Sequence, residues 1–419
     1  MIRSMYSAIT ALGLHQTYMD VVANNLANVN TTAYKTSRVD FKAQISQLLS
    51  AGNAPTAATV TPSLGGRNAV QVGLGVQLGA ITKVMTQGAL RSTGRVTDLA
   101  VQGDGFFVLD DGTQGHAYTR DGAIDVGQDG KLSQINSALH VLGWQVSPTT
   151  GLIDTTGPLT AITVPTNSSL ARATANLTLN GNLDATTAAA GTVASTLAVF
   201  DSLGTQHNVT LTFTRNAGMS WALTATETDA DITALALGGD TTANFLATGQ
   251  WDTANTATTL TLTLGNGATT PQAVTVDLSK LTMLDEASTA AQASQDGLAA
   301  GTLTGLSVVS DSGRVVGLYS NGMTQDIGQV ALASFVNPNG LLSAGQNLLR
   351  PWLNSGDPQI GTPGSGARGT IASGYLEGSN VDLAQEFTNM ITAQRGFQAN
   401  SRVITTSDEM LQELISMKR

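Results

Sequence analysis

Apolar residues recur every seven positions at both ends of this chain, with polar residues between them. Near the N-terminus the repeat consists of Met5, Leu12, Met19 and Leu26, joined by Ala8, Val22 and Val29 and interrupted only at His15. Near the C-terminus it consists of Leu383, Met390, Phe397, Ile404 and Leu411, widened by Phe387, Val403, Met410, Leu414 and Ile415. Such a repeat predicts a long helix at each end that pairs along a narrow apolar seam. Ser379 or Asn380 is the predicted N-cap of the second helix.

The region between the helices alternates apolar and polar residues. Residues 258–264 read TTLTLTL and residues 208–214 read NVTLTFT, and the same period joins Val274, Val276 and Leu278. A period of two predicts short antiparallel strands with one buried and one solvated face. In residues 176–183, NLTLNGNL, the Asn-Gly pair predicts a hairpin turn.

Two stretches lack this alternation. Residues 50–80 are rich in Ala, Gly and Thr, and we predict a long connector with little regular structure there. The glycine-rich residues 354–370 are a second predicted connector, which leads back to the C-terminal helix. The fold class that follows is mainly β with long α-helical termini.

The predicted helices need partners, because helices with narrow apolar seams are not stable alone in water. Each large apolar side chain of a seam contributes roughly 1.5–3 kcal/mol when it is buried. The predicted connectors separate both helices from the β region. We therefore favour helices that pack on each other and on helices of other copies, with a coiled coil inside one chain as the alternative.

Composition further limits the kinds of partner that the chain is expected to bind. The formal net charge is −10 and only 12% of the 419 residues are charged, which argues against binding to nucleic acid or to an anionic membrane. The chain has no cysteine, so disulfides and thiolate metal sites are excluded. We find neither the apolar core and cleavage site of a signal peptide nor a stretch long enough for a transmembrane helix.

No catalytic, cofactor-binding or metal-binding group is predicted. The four histidines, which are expected to be ordinary surface or partly buried side chains, are His15, His116, His140 and His207. The sequence GSGARG in residues 364–369 has the spacing of a dinucleotide-binding loop, but no apolar strand precedes it. Asp110 and Asp111 are interpreted as a turn.

Several longer motifs resemble one protein family. Residues 23–35, ANNLANVNTTAYK, resemble the signature A-N-N-L-A-N-x-N-T-x-G-[FY]-K of the axial proteins of the bacterial flagellum, the rod and hook family. Residues 379–411 resemble the closing helix of that family, and residues 88–109 and 118–132 resemble its β-rich body. The length of the chain favours the hook branch of the family over the distal rod protein, which is shorter. The hook branch is also favoured by residues 199–213 and 313–348, which resemble segments of hook proteins.

The resemblance implies a fold and a domain plan. Residues 1–30 plus 380–419 would form an inner, coiled-coil-like polymerisation domain, and residues 31–90 an extended connector region. Residues 91–160 plus 302–379 would form a β-rich inner domain with the return connector. Residues 161–301 would form a β-rich outer domain inserted into the inner one.

The resemblance also implies a function, which is to self-assemble into a hollow, curved helical tube that transmits motor torque from rod to filament as a universal joint. Its implied partners are further copies of the chain, the distal rod protein, the hook cap, the hook–filament junction protein and the flagellar type III export apparatus. Export without a cleaved signal peptide would place the protein outside the cell in the flagellum. Neither enzymatic activity, cofactor, nucleic acid nor membrane insertion is implied.

The expected polymerisation interface combines the seams with the asparagine-rich stretch. Its residues are Leu12, Met19, Val22, Asn24, Asn25, Leu26, Asn28, Val29, Leu383, Phe387, Met390, Phe397, Ile404 and Leu411. Asparagine amides donate and accept hydrogen bonds without bringing charge into an interface, so we expect these amides to face neighbouring chains or the helix end. The alternative is a frayed helix end with solvated amides.

One residue departs from the family signature. The family often has glycine where this chain has Ala33, and if the backbone φ angle there is positive, alanine costs about 1 kcal/mol. Outside the hook branch, the alternatives are a distal rod protein, a β-rich surface adhesin suggested by the Thr-rich strands and, more remotely, an enzyme.

Overall fold

The computed structural model describes residues 2–55, 65–112, 115–147, 151–166 and 168–417. The chain divides into two compact units. The first unit comprises residues 1–164, 307–316 and 326–419, and the second comprises residues 165–306 and 317–325. The two units are described separately below.

Both predicted terminal helices are present in the first unit. Helix α1 is Ile2–Ala27 and helix α2 is Leu383–Ser416, and the two helices pack against each other. The N-cap of α2 is Asp382, whose carboxylate accepts hydrogen bonds from the backbone N–H of Ala384 and Gln385. The predicted caps, Ser379 and Asn380, are therefore wrong. Asn380 instead accepts a hydrogen bond from the Thr36 N–H at 2.8 Å.

The first unit contains strands β1–β12, β26–β31 and one short 3₁₀ helix, Pro338–Gly340. The strand bounds are β1 Ser37–Ala43, β2 Ser46–Ser50, β3 Val70–Gly73, β4 Val76–Lys83, β5 Leu90–Ser92, β6 Leu99–Gln102, β7 Phe106–Asp110, β8 His116–Thr119, β9 Ile124–Val126, β10 Leu132–Gln134, β11 His140–Gln145, β12 Thr160–Ala161, β26 Leu332–Ser334, β27 Leu342–Gly345, β28 Leu348–Arg350, β29 Gln359–Gly361, β30 Thr370–Ser373 and β31 Tyr375–Glu377.

Strand β7 lies at the centre of the first unit. It reads FFVLD and pairs antiparallel with β8, β11 and β26, so four of its five side chains are buried. The core around it combines aromatic and aliphatic residues from distant parts of the chain, namely Phe106, Val108, Tyr118, Leu142, Trp144, Ala331, Ala333, Phe335, Leu341 and Leu349. Two short pairs, β6 with β30 and β5 with β31, lead towards α2.

The predicted connector at residues 50–80 contains strands, so the prediction of little regular structure is wrong. Strand β1 pairs antiparallel with β4, with a bulge between Asp40 and Phe41, and β2 pairs antiparallel with β3. Phe41 packs edge-on against Tyr18 of α1, with ring centroids 5.7 Å apart. Strand composition did not reveal these pairs because most of their side chains are exposed on both faces and have no alternation to detect. Residues 56–64 of this stretch lie outside the described residues.

The second unit is a two-layer β-sandwich. Its strands are β13 Ser169–Arg172, β14 Asn176–Asn182, β15 Thr192–Phe200, β16 Gln206–Arg215, β17 Ser220–Glu227, β18 Ile232–Gly238, β19 Thr242–Asn244, β20 Thr258–Leu264, β21 Gln272–Thr282 and β22 Ala291–Gln295. One sheet has the order β18-β20-β21-β14-β22 and the other β15-β16-β17-β19. Three further strands contain residues of both units, and these are β23 Leu298–Val309, β24 Arg314–Tyr319 and β25 Thr324–Val330.

Alternation predicted the inward faces of this sandwich correctly. Strand β20 alternates along its whole length, with Leu260, Leu262 and Leu264 buried. Val209, Leu211 and Phe213 of β16 and Val274, Val276 and Leu278 of β21 are buried as well. These side chains form one apolar core with Trp221 of β17.

The predicted hairpin at Asn180–Gly181 is wrong, because both residues belong to β14. Strand β14 runs parallel to β21 and antiparallel to β22, so the strands of the sandwich are not all antiparallel. Gly181 has a φ of +120°, and a Cβ atom there would lie 2.5 Å from the carbonyl oxygen of Thr289. Glycine at this position permits a close backbone approach rather than a turn.

Candidate self-assembly surface

Helices α1 and α2 form an antiparallel pair whose register two contacts define. Near the end of α1, the Asn25 amide nitrogen lies 3.3 Å from the Glu386 carboxylate in the first turn of α2. Ten residues earlier in α1, the His15 ring lies against Gly396, where a Cβ atom would approach the His15 Cε1 to 2.5 Å. His15 therefore interrupts the apolar repeat of α1 because it packs on a glycine in the middle of α2.

The buried side chains of α2 are small or polar. Glu386, Ala393 and Ser407 are buried, with Asn400 half-buried at the remaining seven-residue position. These residues also recur every seven positions, but three positions away from the apolar repeat that the sequence suggested. On α1 the buried side chains are Ala8, Leu14, Val22 and Asn25. Close packing of small residues leaves the large ones at the flanks of the pair.

Large apolar side chains of both helices remain exposed to solvent. Phe387 and Leu414 of α2 each keep half of their surface accessible, and Tyr6 and Ile9 of α1 are similarly exposed. The other exposed apolar residues of α2 are Leu383, Ile391, Val403, Met410 and Ile415. A single chain therefore leaves much of the apolar surface of its terminal helices uncovered, which is costly in water.

The residues of the expected interface fall into three groups. Val22 and Asn25 are buried within the chain. Leu12, Met19, Leu26, Asn28, Val29, Met390, Phe397, Ile404 and Leu411 are half-buried at the flanks of the helix pair. Asn24, Leu383 and Phe387 are exposed. Sequence periodicity missed the exposed Ile9 and Ile391, which lie outside the seven-residue repeats.

Asn25 joins three parts of the first unit. Its side-chain oxygen accepts hydrogen bonds from the Ser37 N–H at 2.9 Å and the Tyr34 hydroxyl at 3.0 Å, and its amide nitrogen donates to the Ser37 carbonyl at 2.9 Å. With the Glu386 contact, all of its hydrogen-bonding groups have partners inside the chain. The amide of Asn25 therefore connects α1 to β1 and α2 instead of facing a neighbouring chain.

Asn24 and Asn28 contact each other at the end of α1. The Asn28 side chain donates to the Asn24 carbonyl at 2.9 Å, and the same carbonyl accepts the Asn28 backbone N–H. The chain then turns at Ala33, which has a φ of +56° and donates its N–H to the Glu377 carbonyl. The φ angle at this position is therefore positive, which is the condition under which alanine was expected to be costly. Alanine is thus strained where the family signature has glycine.

A buried ion cluster lies directly after this turn. The Lys35 ammonium is 2.6 Å from one Glu377 carboxylate oxygen, and the Arg120 guanidinium is 3.5 Å from the other. The same carboxylate accepts the Gly88 N–H at 2.9 Å. Burial lowers the pKa of Lys35 and of Arg120, and the Glu377 charge opposes both shifts. One carboxylate thus holds together the segment after α1, the approach to β5 and the β7 core.

His207 differs from the prediction of a surface or partly buried histidine, because it is fully buried in the second unit. Its two ring nitrogens lie 2.8 Å from Asp229 and 3.1 Å from Asp201. Burial alone lowers the pKa of His207, but hydrogen bonds and charge attraction from both carboxylates raise it above the ordinary value. Ligand atoms of His207, Asp229 and Asp231 lie within 4.8 Å of one another, a spacing that a metal ion would require. Both nitrogens already have carboxylate partners, so the arrangement fits a protonated histidine.

Neither α1 nor α2, nor any other helix among the described residues, combines the length and apolarity that a bilayer-spanning segment requires.

Comparison with known proteins identifies the class to which these features belong. Four family models of flagellar rod and hook proteins match successive parts of the chain. They are the flagella basal body rod protein at residues 5–35, the hook protein FlgE/F/G D1 domain at residues 100–188, the basal body protein FlaE D2 domain at residues 165–298, and the basal body rod FlgEFG protein C-terminal domain at residues 372–417.

Similarity extends over the whole chain. The flagellar hook protein FlgE of Borreliella burgdorferi is 36% identical, with 100% of both chains covered. The flagellar basal-body rod protein FlgG of Bacillus subtilis is 30% identical, again with 100% of both chains covered. A crystal structure of Helicobacter pylori flagellar hook protein FlgE2 aligns with a TM-score of 0.45 at 14% identity, covering 68% of this chain and 100% of that one. The chain belongs to the flagellar hook protein family.

Proposed function

We propose that this protein is a structural subunit of the bacterial flagellar hook and that it self-assembles through its terminal helices into a hollow, curved tube. The observation that carries the proposal is the exposed apolar surface of α2, which includes Leu383, Phe387 and Ile391. The α1–α2 contact cannot cover this surface, because the buried positions of α2 are occupied by small and polar residues. Neighbouring subunits of a polymer would cover it, and each buried large side chain would contribute roughly 1.5–3 kcal/mol.

Assembly of purified protein tests this proposal. We expect Phe387→Asp to abolish tube formation in electron micrographs, because a carboxylate buried without a partner costs several kcal/mol. Phe387→Leu keeps an apolar side chain and should still assemble. Leu284→Asp is the matched control, since Leu284 is an exposed leucine of the second unit. Normal tubes from Phe387→Asp would refute the assignment of α2 as the assembly surface.

The same proposal covers the arrangement of the tube. The helix pair would form the inner layer around the channel, and residues 161–301 would form an outer domain inserted into the β-rich inner domain. Deletion of residues 165–300 should then leave a shorter subunit that unfolds cooperatively, because an inserted domain has its own core. Loss of all cooperative unfolding on this deletion would contradict the domain plan.

We further infer that the tube passes motor torque from rod to filament as a universal joint. Its subunits would leave the cell through the flagellar export apparatus without a cleaved signal peptide. Its further partners would be the distal rod protein, the hook cap and the hook–filament junction protein. The family supports a structural rather than an enzymatic role. Crosslinking in intact flagella, followed by mass spectrometry, would identify these neighbours.

A distal rod protein is the second candidate, because a flagellar basal-body rod protein of Bacillus subtilis is 30% identical over the full length of both chains. Genetic complementation separates the two candidates. We expect this gene to restore motility to a strain without its hook protein and not to one without its distal rod protein. The reverse result would assign the chain to the rod.

A further inference from the structure

Arg120 has unused hydrogen-bond donors although it is almost fully buried in the first unit. Only 5% of its surface is accessible, and neither its Nε nor its Nη1 atom has a hydrogen-bond partner among the described residues. Its guanidinium lies over the Phe106 ring at 5.3 Å, and its ion pair with Glu377 is long at 3.5 Å. Nη1 faces Glu377 Oε2, which has no other hydrogen-bond partner within the described residue ranges, so Nε is the donor that lacks an acceptor there. A buried donor without an acceptor is costly, so Nε points to a missing acceptor.

A cavity of about 320 Å³ lies beside Arg120. Its apolar wall comes from Met85, Phe106 and Phe335, together with Val336, Pro338 and Ala367. The Ser334 hydroxyl, which also lines the cavity, is buried and has no hydrogen-bond partner in the described part of the chain. Two independent buried polar groups without partners therefore line the same, mainly apolar space.

The charges around Arg120 favour an anion. A second cavity of about 120 Å³ shares Arg120, Phe106 and Met85 with the first and is also lined by Lys35 and Lys83. Glu377 is the buried carboxylate that pairs with Lys35 and Arg120. No ion pair to Lys83 is found in the described ranges, and burial lowers its pKa. Asp104, which also lines the larger cavity, is exposed, and its charge, like that of Glu377, opposes the lowering of the Arg120 pKa by burial.

We propose that the larger cavity binds a carboxylate carried on an apolar or aromatic body, with Arg120 and Ser334 as its hydrogen-bond donors. One guanidinium and one hydroxyl suit a single carboxylate group. Phe106, Phe335 and Met85 cover the apolar part of the ligand. The site lies within the first unit and does not depend on the proposed assembly.

Benzoate is a suitable probe, and benzyl alcohol is its uncharged counterpart. Met85 lines both cavities, so its ¹³C-labelled methyl group, assigned with Met85→Leu, reports on the space beside Arg120 in NMR spectra of the intact chain. We expect benzoate to shift the Met85 signal in a saturable manner and to leave that of Met283, in the core of the second unit, unchanged. Benzyl alcohol should bind at least tenfold more weakly.

Two variants assign the donors. Arg120→Met should lower benzoate affinity at least tenfold, and Ser334→Ala should lower it several-fold with little effect on folding. Arg314→Met is the control, because Arg314 is an exposed arginine paired with Asp326. The proposal is overturned if the Met85 signal does not move up to the solubility limit of benzoate. It is also overturned if benzyl alcohol binds equally well or if Ser334→Ala and Arg120→Met both bind normally.

Such a carboxylate could come from a free solute or from an acidic side chain of a second copy. Sedimentation of assembled tubes with radiolabelled benzoate distinguishes these sources. If the ligand is a solute, tubes and monomers should bind benzoate equally. If a second copy supplies the carboxylate, assembly should fill the site and abolish benzoate binding that monomers show.

Discussion

Glu377 allows the contribution of the buried ion cluster to be measured directly. Its carboxylate is completely inaccessible to solvent and contacts Lys35, Arg120 and the Gly88 N–H. Glu377→Gln keeps the size of the side chain but removes the only negative charge of the buried cluster. Breaking a buried ion pair in this way costs about 3–5 kcal/mol, because it leaves uncompensated charge in the interior. The first unit should lose that much unfolding free energy, a large part of the 5–15 kcal/mol of a typical domain.

The matched control is an exposed pair of similar length. The Arg95 guanidinium lies 2.9 Å from the Asp125 carboxylate, and about half of each side chain is accessible to solvent. Exposed pairs contribute about 0.2–1 kcal/mol, since water screens both charges, so Asp125→Asn should have little effect. The two substitutions make the same chemical change in the same unit, but Glu377 is buried and contacts two cations, whereas Asp125 is exposed and pairs with one.

Hydrogen exchange measured by mass spectrometry gives the exchange rates of backbone amides in both units in one experiment. Central strand β7 should exchange about 100-fold faster or more in Glu377→Gln, as expected for a loss of at least about 3 kcal/mol. Strand β16 of the second unit serves as an internal reference and should keep its wild-type rate. If Glu377→Gln and Asp125→Asn change the exchange of β7 equally, our account of the cluster is refuted.

Three further predictions test particular contacts and one backbone angle. Alanine stabilises a helix by roughly 1 kcal/mol relative to glycine, but Gly396→Ala should not gain this stability while His15 occupies the space beside it. In a His15→Ala background the same substitution should gain it, as measured by thermal unfolding with circular dichroism. Equal effects in both backgrounds would contradict the contact. The raised pKa of His207 means that its stabilisation is complete below its unfolded value of about 6.5 and is lost as pH rises through the higher folded value. Calorimetry should therefore show the second unit melting at a lower temperature at alkaline pH, and His207→Gln should remove this dependence. The same pH dependence in His207→Gln would count against a protonated ring. Ala33→Gly should stabilise the first unit by up to about 1 kcal/mol in urea unfolding, and Ala33→Val should destabilise it by more than that, because only glycine accepts a positive φ without strain.

Local periodicity determined the two terminal helices and several strands of the second unit. The seven-residue repeats located α1 and α2, and alternation identified the buried faces of β16, β20 and β21. Both patterns are visible in a single segment, because the geometry of one helix or strand decides which of its side chains share a face. The family signature was likewise present in the sequence, and it drew attention to Ala33.

Pairing between distant segments was decided by the tertiary structure. The seam of α2 runs through Glu386, Ala393 and Ser407, which no apolar repeat indicates. Close helix packing selects small side chains, and the Asn25 amide donates a hydrogen bond to the Glu386 carboxylate. Strands β3 and β4 were hidden in a stretch without alternation. The ion cluster unites residues 35, 120 and 377, whose separation along the chain conceals it.

The sequence alone thus determined the two terminal helices, the inward apolar side chains of β16, β20 and β21, and the family to which the chain is similar. The tertiary structure decided which faces of α1 and α2 meet, and therefore which apolar residues remain exposed for other copies. It also placed Arg120 beside a cavity. The physical reason is that secondary structure follows from interactions within a few residues, whereas burial depends on segments that meet only when the whole chain has folded.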